Sequence, residues 1–339
     1  MNRFTENWFT ENWFTENYCS QERYILARQY PHPPRFMCLY STEINFPVPP
    51  NRSHKTFRKF GLSDCSLISD DWLALSIGNS RLHWAWFSED VLQASWDTAH
   101  LDAFGIQHLI INQFNFHRCQ LIDPSILLPQ WESIPELWII SVVPHQTQFW
   151  QQYLRSNLLT LSDIPLGDAY PTLGADRAIA AWEAVQLARG AALVIDCGTA
   201  LTLTGANAEG CLVGGAILPG LRLQLQSLGQ STAALPTLVP ENIQTPTRWA
   251  MNTAESISSG VLYSIVSSVN SFIEDWQTRF PSSPIYITGG DTIFISDLIR
   301  QYLPHLTSQL RPEKDLAFLG MSTLRQYQIQ HPLPSCVQL

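Results

Sequence analysis

The chain is poor in charge, in paired cysteines and in long apolar runs. Only 14% of its 339 residues are charged, and the formal net charge is −9. An acidic chain offers no basic face to nucleic acid or to an anionic membrane, so neither is expected as a partner. The seven cysteines (19, 38, 65, 119, 197, 211 and 336) are scattered, odd in number and never spaced C-x-x-C. That pattern argues against a zinc site or a disulfide framework and fits reduced thiols in a cytoplasmic protein. No apolar stretch reaches the ~18 residues of a membrane span. The N-terminus also lacks the charged-then-apolar layout of a secretory signal. What the chain does have is apolar side chain, 45% of residues with 12 tryptophans. That is ample for the two domains, or one duplicated unit, that the length predicts.

Residues 3–17 repeat a five-residue unit ending Phe-Thr-Glu-Asn. An odd period puts successive copies on opposite faces of a strand, and in a helix each copy turns by about 140°, so no apolar stripe forms. Residues 18–70 carry Pro31, Pro33, Pro34, Pro47, Pro49 and Pro50 and no sustained periodicity. We therefore read 1–70 as a low-complexity, disordered extension, or an upstream stretch translated from a misplaced start.

From Trp72 the pattern sharpens. Leu73, Leu75 and Ile77 alternate into a turn and Leu82, Trp84 and Trp86 alternate out of it, as in a half-buried hairpin. Residues 109–111 and 137–143 read as further strands. Residues 174–189 read as a helix that Gly190 stops. The second half repeats the scheme, with strands over 192–195, 200–204, 211–218 and 285–288. A long helix over 253–276 points Ile257, Val261, Ile265, Val269, Phe272 and Trp276 at the core, and another helix follows from about Thr292. The expected organisation is an N-terminal domain over 71–190, a C-terminal domain over 191–327 and a loose tail over 328–339.

Two short segments carry the clearest chemistry. Leu75-Ser76-Ile77-Gly78-Asn79-Ser80 and Ile195-Asp196-Cys197-Gly198-Thr199-Ala200 align glycine on glycine at an offset of 120 residues. A glycine at such a turn lets backbone N–H groups approach phosphate oxygens, and the following hydroxyl or amide side chains add donors. A carboxylate at the strand end, Asp196, can hold a cation beside a phosphate chain. Alone, the second segment is equally an ordinary Asp-x-Gly hairpin. The matching turn in the first half favours a nucleotide held between two related halves. The first turn has Ser76 where symmetry asks for an aspartate, and serine cannot neutralise a metal.

Gly174-Ala175-Asp176-Arg177 opens a helix, where the dipole stabilises a carboxylate as the anion. Such a group can orient a substrate hydroxyl and accept its proton late in phosphoryl transfer, or it is simply a capping aspartate. Arg177 can pair with a carboxylate or phosphate. Thr253 starts the long helix, as a ligand contact or as an N-cap hydroxyl. Tyr170 lines a pocket or fills a core, and Gly289-Gly290 suits an adenosine against bare backbone or a tight strand-to-helix turn.

Taken in order, Ser76–Arg81, Gly174–Arg177, Asp196–Ala200, Gly214–Leu221, Thr232–Pro236, Asn252-Thr253 and Thr288–Gly290 resemble type III pantothenate kinase, of the acetate kinase/Hsp70/actin superfamily. The resemblance covers about 72 to 325. It implies an α/β, duplicated actin-like (ribonuclease H-like) fold, two related domains with mixed sheets flanked by helices. It also implies ATP-dependent phosphorylation of the terminal hydroxyl of pantothenate, the entry step to coenzyme A. Carried over by motif, Asp176 looks like the base, and Tyr170, Gly174, Ala175, Arg177 and Thr253 like pantothenate contacts. Ser76, Ile77, Gly78, Asn79, Ser80 and Arg81 resemble the ATP phosphate loop, with Thr199, Gly289 and Gly290 also on ATP. Asp196 is similar to the residue holding a monovalent cation (K+ or NH4+), and Mg2+ is implied with ATP. The resemblance further implies a homodimer with the long helix at the interface and a shared pocket. Ser76 in place of the family's first aspartate, with the unusual extension, leaves the alternative of a regulatory protein that binds nucleotide without transferring phosphate. A sugar or acetate-type kinase on the same superfamily fold is a third reading, against which the Gly-Ala-Asp-Arg and Leu-Pro-Gly-Leu segments weigh.

Overall fold

The computed structural model describes residues 71–330 apart from 130, 132, 133, 241, 242 and 244–246, so the expectations for 1–70 and 331–339 lie outside the described residues. Two five-stranded sheets form the frame. The first comprises β1 (Asp71–Ile77), β2 (Leu82–Ser88), β3 (Val91–Thr98), β4 (Glu136–Ser141) and β5 (Ser156–Leu159), in the order β3-β2-β1-β4-β5. The first three strands form an antiparallel meander, and β4 and β5 continue parallel to β1. The second sheet comprises β6 (Ala192–Cys197), β7 (Ala200–Ala206), β8 (Leu212–Pro219), β9 (Ile285–Thr288) and β10 (Leu310–Pro312). Read as β8-β7-β6-β9-β10, it repeats the first sheet strand for strand and direction for direction. A shared order of three antiparallel and two parallel strands is the duplicated actin-like fold.

The helices are α1 (Ala103–Ile111), α2 (Pro144–Trp150), α3 (Ala175–Ala188), α4 (Leu221–Ser231), α5 (Thr253–Arg279), α6 (Thr292–Tyr302) and α7 (Leu316–Gln330). Successive strand residues point to opposite faces, and both faces of each sheet are covered. On β1, Leu73, Leu75 and Ile77 pack with Trp84, Trp96, Phe114, Phe116 and Trp150 in an outer core. Trp72 and Ala74 face the other way, joining Val194 and Ala206 of the second sheet around α3 and α7 in a central core. The outer face of the second sheet buries Ile195, Leu203 and Ile287 against α4, α5 and α6. Each fully buried Leu, Ile or Phe contributes on the order of 1.5–3 kcal/mol.

Four local expectations are corrected. Residues 109–111 are the end of α1, not a strand: Asp102 caps that helix by accepting from Gly105 N at 2.7 Å. Its periodicity buries Ile106 and Leu109 and leaves Ile111 78% exposed. The hairpin is not half-buried, because α3 and α7 cover its second face. Arg189, in the left-handed conformation at φ 50°, ends α3 ahead of Gly190. Phe272 is exposed, and the core position one residue on belongs to Ile273. Helix α5 is also long and apolar enough to cross a membrane by length and composition. Its apolar side, from Ile257 to Trp276, is packed inside the protein against the second sheet.

Candidate active site

The two matching turns meet. The β1–β2 turn is closed by Gly78 N donating to Arg81 O at 3.1 Å, and the β6–β7 turn by Gly198 N donating to Ala200 O at 3.1 Å. Across the gap the hydroxyls of Ser80 and Thr199 lie 2.8 Å apart, joining residues 119 positions apart in sequence. Asn79, Ser80, Arg81 and Thr199 are exposed and available to a ligand. Ile77 is not: its side chain is in the outer core and its carbonyl accepts from Val142 N at 3.1 Å. It fixes the turn from beneath. Ser76 is half-buried at the end of β1, opposite His83 on β2 and Ile140 on β4.

Asp196 occupies the equivalent place at the end of β6, opposite Thr202 and Thr288. Burial pushes its carboxyl up to about 6, the charge of Asp176 adds to that, and His83 and Arg177 pull the other way. These four groups therefore share one electrostatic neighbourhood. Gly289, at φ +90°, sits against Asp196, and a Cβ there would collide with Asp196 Oδ1. Any other residue would be strained and would displace the carboxylate. Around Gly290 the space that a Cβ would enter is open to 4 Å, so that backbone faces outward.

Asp176 lies in the first turn of α3, and its Oδ1 accepts from Arg177 N at 2.7 Å. Burial raises its pKa, and the N–H and charge of Arg177 oppose the rise. A partly desolvated carboxylate at that position is a stronger base than an exposed one. Gly174 makes room for it, since a Cβ at 174 would lie 2.5 Å from Asp176 Oδ1. Ala175, the first helical residue, packs against the central core. Arg177 donates through Nε to Thr204 Oγ1 at 3.1 Å, through Nη1 to Tyr170 Oη at 3.2 Å and through Nη2 to Leu203 O at 3.3 Å. The guanidinium thus ties α3 to β7 and leaves only part of its donor set for a ligand. Tyr170 is 42% exposed beside it.

Thr253 stands at the start of α5. It is the exposed first residue, and the cap is Asn252, whose Oδ1 accepts from Glu255 N at 3.0 Å. With Gln224, Leu228, Leu235, Ile257 and Ser264 it lines a groove of about 380 Å³ between α4 and α5 that contains none of the turn residues, Asp176 or Asp196. The structure also gathers residues that the sequence reading did not name. His83 and Asp97 stand beside Ser76, with His83 Nδ1 2.7 Å from Asp97 Oδ1. The signal was present in the hairpin alternation, which sets residue 83 directly across from residue 76. Among the described residues no group of three or more His, Cys, Asp or Glu is arranged to hold a metal ion.

The chain matches the family model for type III pantothenate kinase over residues 72–275. It belongs to the type III pantothenate kinase family. A type III pantothenate kinase from Nostoc sp. is 43% identical over 262 residues, covering 76% of this chain and 95% of the relative. The Synechococcus elongatus type III pantothenate kinase is 41% identical over 261 residues (77% and 98%), and that of Synechocystis sp. 38% over 266 (77% and 94%). Nearly the whole length of each relative is thus matched.

Proposed function

We propose that this chain transfers the terminal phosphoryl group of ATP to the terminal hydroxyl of pantothenate, giving 4'-phosphopantothenate in the first step of coenzyme A synthesis. The observation that carries the reading is the contact between Ser80 and Thr199, which makes one cradle of two turns. The carboxylates of Asp176 and Asp196 share that cradle's electrostatic neighbourhood. Gly78 through Arg81 and Thr199 take the phosphates through backbone N–H and hydroxyl donors, with Gly289 and Gly290 beneath the adenosine. Asp176 orients the pantothenate hydroxyl and accepts its proton as the bond to phosphorus forms. Gly174, Ala175, Tyr170 and the remaining donors of Arg177 border the pantothenate.

Asp196 would hold the monovalent cation, K+ or NH4+, and Mg2+ would come with the nucleotide. Hard oxygen donors suit these ions, and two carboxylates raised by burial, Asp196 further by the charge of Asp176, fit a site that gains from added positive charge. A bound cation offsets charge on the triphosphate. The free thiols of Cys119, Cys197 and Cys211 support a cytoplasmic location. We read 71–190 and 191–327 as the two domains, with 1–70 as an extension to them. The protein acts as a homodimer in this reading: Thr253, which lines a groove between α4 and α5, closes the pantothenate pocket of the partner. Exposed Trp249 (86%) and Met251 (97%) just ahead of α5 support that surface as the interface.

The test is an assay with labelled ATP and pantothenate over a panel of monovalent cations. Phosphopantothenate should form, faster with K+ or NH4+ than with Na+. Tight ATP binding with no product under any cation would mean a nucleotide-binding protein that does not transfer phosphate.

A further inference from the structure

The duplicated sheets allow the two halves of the nucleotide site to be compared position by position. In the second sheet the row through Asp196 runs Ile217, Thr202, Asp196, Thr288 across β8, β7, β6 and β9. In the first sheet the matching row runs Asp97, His83, Ser76, Ile140 across β3, β2, β1 and β4. Residues directly opposite one another project from the same face. Here that face holds Trp72, Ala74, Ala85 and Phe87, and it is the one turned to the central core and to α3. The half that lacks the strand-end aspartate has a histidine and a carboxylate in the two neighbouring positions. The half that has the aspartate shows a threonine and an isoleucine there.

The geometry of the pair is specific. His83 Nδ1 is bound to Asp97 Oδ1 at 2.7 Å, both side chains being only about 40% exposed (39% and 43%). Asp97 accepts only, so Nδ1 carries the hydrogen. The other ring edge turns to the phosphate-type turn, where a Cβ on Gly78 would lie 3.3 Å from His83 Nε2. His100 Nε2, 3.0 Å from the Gly78 carbonyl, braces the same turn from the other side. Burial raises the Asp97 carboxyl, but the hydrogen bond and charge of His83, aided by Arg81 and Lys314, hold it below the usual range, so the partner of Nδ1 is an anion. His83 also pulls against the upward shift of Asp196 across the cleft.

We propose that His83, oriented by Asp97, is a further phosphate-binding residue of the nucleotide site. In the ATP complex the ring, protonated against the phosphate anions, directs Nε2–H at the phosphate chain, on the side where Ser76 brings no charge. The ring supplies by a charged hydrogen bond what a carboxylate and its metal would otherwise supply at this position. Asp97 is a positioning residue. It fixes the ring with Nδ1–H toward the carboxylate, as a carboxylate behind a histidine does elsewhere. This inference rests on the kinase reading above and names a residue for its nucleotide half.

The experiment is calorimetric binding of ATP and, separately, of pantothenate to the full chain, with Mg2+ and with chelator, alongside thermal melts. His83→Gln keeps the size of the side chain and removes its charge. It is expected to weaken ATP binding about tenfold or more, the worth of one charge-assisted hydrogen bond. Pantothenate affinity and melting temperature should hold. Asp97→Asn should move ATP binding the same way by less. Adding Ser76→Asp to His83→Gln should restore ATP affinity with Mg2+ but not with chelator. ATP affinity of His83→Gln within about twofold of the parent, or equal loss for both ligands, overturns the proposal. A parent that binds no ATP at all overturns the kinase reading instead, which separates the two failures.

Discussion

In the kinase reading we propose, Asp176 is the residue on which the chemistry turns, and its surroundings suit that task. One oxygen is held by the N–H of Arg177 at 2.7 Å, which fixes the carboxylate without neutralising it. Burial lifts its pKa, so it is a better proton acceptor than a surface aspartate. Asp176→Asn keeps the shape and the nearby contacts, so folding and ATP affinity should hold while kcat drops on the order of 10²–10⁴-fold. A steady-state assay beside a melt checks this, and an unchanged kcat would remove Asp176 as the base. In the parent, the rate should fall as pH is lowered through a value above the ordinary carboxylate range, because protonation disables the acceptor. The local sequence offered this residue as a candidate because helix starts are legible from Gly and Asp. It could not show that Arg177 would be engaged by Thr204, Leu203 and Tyr170, because those partners come from other elements.

At the scale of elements, α3 and α7 form the layer between the two sheets, and their contact decides how firmly the cleft is held. Gly320 of α7 lies against Ile179 and Glu183 of α3, where a Cβ would come within 2.9 Å of Ile179 Cγ1 and O. Glu183 is 4% exposed in this contact, and its Oε2 has no hydrogen-bond partner. Burial pushes its carboxyl up to about 7 from 4.5, against the pull of a hydrogen bond to Thr323. Since the folded chain holds the proton more tightly than the unfolded one, this contribution to stability is complete below about pH 4.5 and is lost as pH rises through 7. The loss amounts to a few kcal/mol at most, at about 1.4 kcal/mol per pH unit. Glu183→Gln should therefore gain on the parent between pH 5 and pH 8 in urea unfolding. Parallel curves for the two proteins would show that Glu183 is ionised in the fold. The helical pattern of 174–189 was readable, but the reason eight consecutive residues, 178–185, are all buried was not. A helix covered by two sheets and another helix loses its polar side.

At the scale of the whole molecule, the proposed homodimer with a shared pocket has the widest consequence. Thr253 lines a groove between α4 and α5 whose lining does not include Asp176. In the dimer we propose, each site takes Asp176 from one protomer and Thr253 from the other. Asp176→Asn and Thr253→Ala should each lower activity at least tenfold alone. Unfolded and refolded together in equal amounts, they should recover about a quarter of parental activity, because half the dimers are mixed and each mixed dimer has one intact site. No recovery above the separate variants would place Thr253 outside a shared site.

The amino-acid order alone determined the strands that bear the twin turns, the acidic helix start and the repeat of one scheme in two halves. These are local patterns, set by side-chain period, glycine and capping chemistry within a few residues. The same locality misled it at 109–111, where a short apolar run belongs equally to a strand and to a capped helix until its neighbours are known. Only the tertiary structure decided that Ser80 and Thr199 touch, that Ile77 serves the core and not the ligand, and that His83 and Asp97 stand beside the serine that replaces a carboxylate. Those facts depend on strand register and on the packing of two sheets about α3. Free energies of that kind arise between residues far apart in the chain, and no short window of sequence contains them.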